Sequence, residues 1–245
     1  MRKNVKNFAE DVLKSSGKIA IKYFRKNNGT ESKKDGSLVT KADREIEHFI
    51  RLNIKKYFPD HAILGEEFGF EKAKNKTGKK YTWVIDPIDG TSSFVAGRPL
   101  FGMMLGLLED EKPILGAVYQ PVTEELWLGY KEKTYFNGKQ IRAAEKGKSK
   151  KTKTKNLTIA TTSPHLLDKK GLKKWDKMRK NAKSTIYGGD CYNYCLLASG
   201  FIDAVYEQNL KPHDYLPLLP ILTGAGILVD LKVHDDNTAD ILAAR

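Results

Sequence analysis

Residues 83–91 read Trp83-Val84-Ile85-Asp86-Pro87-Ile88-Asp89-Gly90-Thr91, an apolar run broken by two carboxylates three positions apart. The run 81–85 is rich in aromatic and β-branched residues, which predicts a buried strand that stops at Asp86. Pro87 fixes its own φ and steers Asp86 away from helix, while Asp89-Gly90 signals a tight turn. Both carboxylates therefore belong to one rigid bend at a strand end. Two anions this close repel, at a cost in free energy unless a cation lies between them. An ordinary Asx turn reads the same way locally, so the rest of the chain has to decide.

On the N-terminal side, Val5, Phe8, Val12, Ile19 and Phe24 fall at helical spacing, as do Ile46, Phe49, Ile50, Ile54 and Phe58, predicting two amphipathic helices with a polar loop at 31–38 between them. Residues 61–64 predict a short strand leading into Gly65-Glu66-Glu67. On the C-terminal side come strand-like runs at 101–108, 113–120 and 125–130, whose short connections favour antiparallel pairing, and then an Asn137-Gly138 turn. The lysine-rich, low-complexity run 145–155 is the candidate boundary between an N-terminal half, 1–145, and a C-terminal half, 156–245. Past it, strands at 157–161, 184–187, 202–207 and 227–231 alternate with helices at 166–179, 191–199 and 214–222, the rhythm of helices layered on a sheet.

A chain of 245 residues accommodates one large α/β domain or two intimate halves. With 40% apolar and 30% charged residues it is not a disordered chain. The formal charge of +13, from 43 Lys and Arg against 30 acids, would suit anionic substrates, nucleic acid or a membrane surface. The excess is almost all lysine, concentrated at 72–80, 146–155 and 169–183 without regular aromatic interleaving, which argues against nucleic-acid binding as the main function. Cys191 and Cys195, four apart on a predicted helix, read as core residues suited to a reducing cytoplasm. The N-terminus lacks the apolar core of a signal peptide, and the longest apolar region, 216–229, is interrupted by Pro220 and two glycines, so no membrane span and a cytoplasmic location are expected.

Four acids at strand or loop ends remain to be explained: Glu66, Asp86, Asp89 and Asp214. Carboxylates and backbone oxygens are the ligands of hard cations, and Mg2+ is the natural candidate; the adjacent Glu67 reads as a surface residue. The order Gly65-Glu66-Glu67, then Asp86-Pro87-Ile88-Asp89-Gly90-Thr91, then Asp214 opening an apolar helix that ends Thr223-Gly224-Ala225-Gly226, resembles the inositol monophosphatase family of Mg2+-dependent phosphatases. The resemblance extends from residue 33 to residue 226, and the runs 187–203 and 207–215 are similar to its histidinol-phosphate phosphatase branch.

That resemblance implies a layered αβαβα sandwich of the inositol monophosphatase/fructose bisphosphatase type, with the site at the junction of the two halves. It implies hydrolysis of L-histidinol phosphate by metal-assisted in-line attack of water, and a homodimer. Within the family the alternative is an inositol monophosphatase or broad sugar-phosphate phosphatase; outside enzymes it is an RNA- or transcription-complex-binding protein on the same scaffold. By resemblance, Glu66, Asp86 and the Ile88 carbonyl hold one Mg2+, Asp86, Asp89 and Asp214 hold a second, and Glu66 with Thr91 positions the water. Asp43 would orient the Thr91 hydroxyl, although its spacing from Thr40 also fits a purely structural capping box. The amides of Gly90 and Thr91 would receive the phosphate. The substrate would meet Asp89, Gly188, Gly189, Asp190, Glu207 and Asp214, with Asp190 facing an amine or imidazole or else capping the helix after it. Lys33 would face the phosphate or metal waters, beside a solvated Lys34, while His213 takes a packing or supporting role rather than ligating metal. Two metals meet the needs of phosphoryl transfer, and a shared cluster requires the Asp214 carboxylate to lie within about 8 Å of that of Asp89. The segment after Gly226 departs from the family pattern and leaves the last strands open. Pro217 should sit near the first turn of its helix and Pro220 should kink it.

Overall fold

The computed structural model describes residues 4–26, 31–32, 38–73, 78–143 and 156–245. Lys33, Lys34 and the boundary run 145–155 lie outside the described residues. Helices α1 (Val5–Tyr23) and α2 (Lys41–Tyr57) form where the spacing predicts them, α1 capped by Asn4 and α2 by Thr40. Their apolar stripes, Phe8 and Val12 on one and Ile46, Ile50 and Ile54 on the other, are buried in a common core.

The two-residue strands β1 (Glu31–Ser32) and β2 (Leu38–Val39) pair antiparallel ahead of α2. Then come β3 (Ala62–Gly65), β4 (Gly69–Glu71) and β5 (Tyr81–Asp89), the short helix α3 (Thr91–Val95), and the meander β6 (Gly102–Glu109), β7 (Lys112–Gln120), β8 (Glu125–Tyr130), β9 (Lys133–Phe136) and β10 (Lys139–Ile141). These strands build one sheet in the order β10-β9-β8-β7-β6-β5-β3-β4, antiparallel except where β3 runs parallel to β5. The C-terminal part continues with β11 (Thr158–Thr161), α4 (Lys169–Asn181), β12 (Ser184–Tyr187), α5 (Asp190–Ala198), β13 (Ala204–Leu210), α6 (Pro212–Tyr215), α7 (Leu218–Gly224), β14 (Leu228–Val233) and β15 (Ala239–Ala244). Its sheet has the order β12-β11-β13-β15-β14, with β11 parallel to both neighbours and β15 antiparallel between β13 and β14.

Alternation along β6 explains the layering. Met103, Leu105 and Leu107 join the core under α1 and α2, whereas Met104 joins the core formed with α5 and α7. A strand buried on both faces reads as a continuous apolar run, which is why β6 shows no period-two signal in sequence. On the outer face of the second sheet, Trp175 of α4 packs on Ile159, Ala204 and Tyr206. The result is the expected α/β sandwich of five layers, αβαβα. Helix α7 lies backbone to backbone on β7 and β8: a Cβ at Gly116 would fall 1.8 Å from the Pro217 carbonyl oxygen, and one at Gly129 2.2 Å from that of Pro220.

Four expectations are corrected. Strand β5 does not stop at Asp86 but runs to Asp89 through a bulge, pairing Asp86 with Met104 and Asp89 with Gly102, because the ladder can pass over Pro87 only where no N–H is required. The helix expected from 166 begins at Lys169, after a 3-10 turn Pro164–Leu166, since Asp168 caps it by accepting the Gly171 N–H at 2.6 Å. The single helix expected at 214–222 is the pair α6 and α7, broken where Pro217 becomes the N-cap of the second. Strand β15 was not foreseen; a hairpin closed by His234 N to Thr238 O at 2.8 Å returns the chain into the middle of the second sheet. No described helix is long and apolar enough to cross a membrane.

Candidate active site

The bulge in β5 turns Asp86 and Asp89 toward the same place. Each of Asp86, Asp89 and Asp214 offers a carboxylate oxygen, all within 4.8 Å of one another, inside the bound required for a shared cluster. Asp214 reaches the group from the start of α6, where Oδ2 accepts the Lys211 N–H at 2.7 Å. Asp43 occupies the equivalent third position of α2, where Oδ2 accepts the Thr40 N–H at 2.7 Å and the Thr40 hydroxyl at 2.6 Å. In both cases a helix start fixes one oxygen of the carboxylate and so fixes the aim of the other.

Burial and mutual repulsion dominate the electrostatics. Burial first, then the charges of Glu66, Asp89 and Asp214, push the Asp86 carboxyl well above its ordinary range. Burial, then Asp190 and Asp214, do the same to Asp89, partly opposed by the Cys191 N–H that donates to Asp89 Oδ2 at 2.5 Å. Asp214 is also raised by burial, against the opposing effects of His213 and the Lys211 N–H. Asp86 Oδ1 is buried with no hydrogen-bond partner. An all-oxygen donor set with an orphaned carboxylate oxygen fits a hard divalent cation, which would supply the missing partner and cancel the repulsion.

Glu66 lines a cavity together with Asp89 and Asp214 and its charge acts on Asp86 and Asp214, but it stands outside the close group of three. The Ile88 carbonyl, an expected ligand, accepts the Thr91 hydroxyl at 3.0 Å. Asp43 is not joined to Thr91: its Oδ2 is taken by Thr40, its Oδ1 is buried without a partner, and burial raises its pKa to about 6. Gly90 has φ +83°, and a Cβ there would lie 2.9 Å from Asp190 Oδ2, so the turn requires glycine. His213 is buried, with Nε2 3.5 Å from Asp214 Oδ1, a supporting contact and not a member of the carboxylate group.

The cavity that Glu66 lines, of about 480 Å³, opens on Asp89 and Asp214, its wall including Asp190, Glu207 and Tyr194. Asp190 is the first residue of α5 and makes no side-chain cap; Gly189 takes the cap position. Burial raises Asp190 to about 6, with Asp214 adding and the Gly189 amide and Arg98 opposing. Gly188 does not line the cavity; its carbonyl accepts Asn193 Nδ2 at 2.8 Å and shapes the turn before α5. Glu207 Oε1 accepts the Thr162 N–H and hydroxyl at 3.0 and 2.6 Å, and Oε2 accepts the Tyr194 hydroxyl at 3.1 Å; burial raises it to about 7. Thr162, Tyr194 and Arg98 were missed in the sequence, where none carries a motif. The place of Asp214 at a helix start was read in the sequence, but its acceptance of the Lys211 N–H was not.

A sequence profile described as Inositol monophosphatase family matches residues 1–243. The chain is 43% identical over 213 residues to the chloroplastic bifunctional phosphatase IMPL2 of Arabidopsis thaliana, covering 86% of this chain but only 60% of that relative's length. It is 32% identical over 220 residues to a histidinol-phosphatase of Chlorobaculum parvum, covering 89% and 82% of the two. Among solved structures it is similar to an inositol monophosphatase from Zymomonas mobilis, with TM-score 0.82 and 35% identity over 97% of this chain and 91% of that one.

Proposed function

The chain belongs to the inositol monophosphatase family, and from that premise we propose that it is a Mg2+-dependent phosphomonoesterase hydrolysing L-histidinol phosphate to histidinol and phosphate. The observation that carries the substrate reading is the pair Asp190 and Glu207, two acids in a cavity that also opens on Asp89 and Asp214, in a chain of net charge +13. A basic surface repels cations, so a cationic substrate needs local acids of this kind. Asp190 lies so close to the Gly90 turn that a group held by its carboxylate stays within a few bonds of a phosphate received there. The amine of histidinol phosphate meets that condition. Glu207 keeps part of its acceptor capacity for an imidazole N–H. The Chlorobaculum parvum relative supports the same assignment.

Held by Asp86, Asp89, Asp214, Glu66 and the Ile88 carbonyl, Mg2+ would supply Lewis-acid activation of water and neutralise charge at the leaving oxygen. Glu66 and Thr91 Oγ1 would orient the attacking water, and Asp43 Oδ1 would take the Thr91 hydroxyl once it leaves the Ile88 carbonyl. The Gly90 and Thr91 amides, at the start of α3, would accept phosphate oxygens. A homodimer is part of this proposal, and light scattering tests it.

The deciding experiment compares phosphate release from L-histidinol phosphate, its deaminated analogue and inositol 1-phosphate. Loss of the amine should lower kcat/KM by about 10²-fold, the scale of a charge-assisted contact left unpaired. Inositol phosphate turnover equal to or better than that of histidinol phosphate would transfer the assignment to the inositol reading, which the Zymomonas mobilis neighbour favours.

A further inference from the structure

Asp43, Glu47 and Arg51 succeed one another at intervals of four on α2, so they share one face of the helix. The charge of Asp43 acts on Asp86 of the candidate site. The two residues beyond Asp43 form a buried ion pair, Arg51 Nε donating to Glu47 Oε1 at 2.7 Å, and that pair is built into the turn between β3 and β4. Glu47 Oε2 accepts the Glu67 N–H at 2.7 Å, Oε1 also accepts the Phe68 N–H at 3.2 Å, and Arg51 Nη2 donates to the Gly69 carbonyl. Arg51 Nη1 reaches Glu71 Oε2 at 3.4 Å on β4. Glu47 fills the space above Gly65, where a Cβ would fall 2.0 Å from its Oε1. Glu66 itself is tied to β5 through its N–H, which donates to the Ile85 carbonyl at 3.2 Å. Thus main-chain groups on both sides of Glu66 are fixed by named partners.

A buried Glu–Arg pair contributes little stability compared with an apolar pair of the same size. Its chemistry is explained by the turn, which presents two N–H donors and one carbonyl to α2 although Phe68 and Gly69 themselves lie at the surface. One carboxylate and one guanidinium supply partners for both. We infer that Glu47 and Arg51 are positioning residues that aim the Glu66 carboxylate at the Asp86 cluster, an inference that rests on the metal-holding role proposed for Glu66. One helix then sets both Asp43 and Glu66 against the site.

The test is Mn2+ affinity, followed by electron paramagnetic resonance, in Glu47→Gln, Glu66→Gln and the double variant, with the urea midpoint measured in EDTA. Glu47→Gln should weaken Mn2+ about tenfold, the scale of losing a partner that orients a ligand. In the Glu66→Gln background it should weaken Mn2+ no further, while still shifting the urea midpoint. A purely structural pair would move the midpoint in both backgrounds and leave Mn2+ affinity alone, which overturns the inference. If Glu66→Gln itself left Mn2+ affinity unchanged, the metal role of Glu66 would be wrong instead. Should Glu47→Gln not fold, Arg51→Lys, which keeps the charge and loses the fork to Gly69, is read in the same cycle. About threefold weaker Mn2+ with Glu66 present and no change without it supports the clamp; equal effects in both backgrounds reject it.

Discussion

Asp89 and Thr91 are two residues apart and answer different questions. Asp89→Asn keeps the volume and removes a charge from a crowded group, so the variant should be more stable than the parent in EDTA yet gain less from added Mg2+. Activity should fall at limiting metal and recover partly at high metal; wild-type turnover at limiting Mg2+ would return this segment to a structural turn. Thr91→Val removes the hydroxyl that donates to the Ile88 carbonyl at 3.0 Å. Metal affinity should persist while kcat drops about 10²-fold without rescue by Mg2+, and a silent variant would remove Thr91 from the mechanism. Glu207 is raised from its ordinary 4.5 to about 7, by burial first, so it is protonated below that pH. Only the ionised form attracts a cation. Hence kcat/KM for a cationic substrate should rise as pH passes through about 7, and Glu207→Gln should abolish that limb. A pH profile unchanged by the substitution would remove Glu207 from substrate binding.

At the scale of elements, the position of Asp214 depends on how α6 and α7 dock. Helix α7 approaches β7 and β8 so closely that the Gly116 and Gly129 positions have no room for a side chain. Gly129→Ala should cost about 1–3 kcal/mol by overpacking, read as a lower urea midpoint. Because Asp214 is joined to α7 through Leu216 and Pro217, the same variant should weaken metal binding. Full metal affinity together with lost stability would show that α6 is held independently of α7. The elements themselves were legible where periodicity is local: α1 and α2 from apolar stripes, the β6 to β8 meander from short polar turns. Strand β15 was not, because Ala239–Ala244 is short and rich in alanine and becomes a strand through pairing with β13 and β14.

For the whole molecule, the site is a reservoir of repulsion that a cation or protons can relieve. Asp43 and Asp190 are raised to about 6 and Glu207 to about 7, chiefly by burial. The folded chain therefore keeps protons that the unfolded chain loses near pH 4, and folding without metal takes up protons between pH about 4 and about 7. Stability in EDTA should fall as pH rises through that window. Added Mg2+ should raise the Tm, by an increment that grows with pH, because carboxylates must be ionised to hold it. Thermal unfolding at pH 5 and pH 8 with EDTA or Mg2+ checks both signs, and an increment independent of pH would dissociate the metal from these acids.

By itself the sequence determined where the acids and turn residues fall along the chain, and most of the elements. Asp86-Pro87-Ile88-Asp89-Gly90-Thr91 forces a bend carrying two acids, and Lys211-Pro212-His213-Asp214 places a third at a helix start, since proline, glycine and capping act over a few residues. That Asp86, Asp89 and Asp214 meet was expected only from the family resemblance, and it is the tertiary structure that brings them together. It gathered Asp86, Asp89 and Asp214 and left Glu66 beside them, and it gave the Thr91 hydroxyl to Ile88 instead of Asp43. It also enlisted Thr162 and Tyr194 to hold Glu207, and Glu47 and Arg51 to hold the turn around Glu66. The Thr91–Ile88 and Glu47–Arg51 contacts are local, but the meeting of Asp214 with Asp86 and Asp89, the contacts of Glu207 and those of Glu47 with the turn join residues distant in the chain, and their energies come from burial, which is a property of the packed layers and not of any local run.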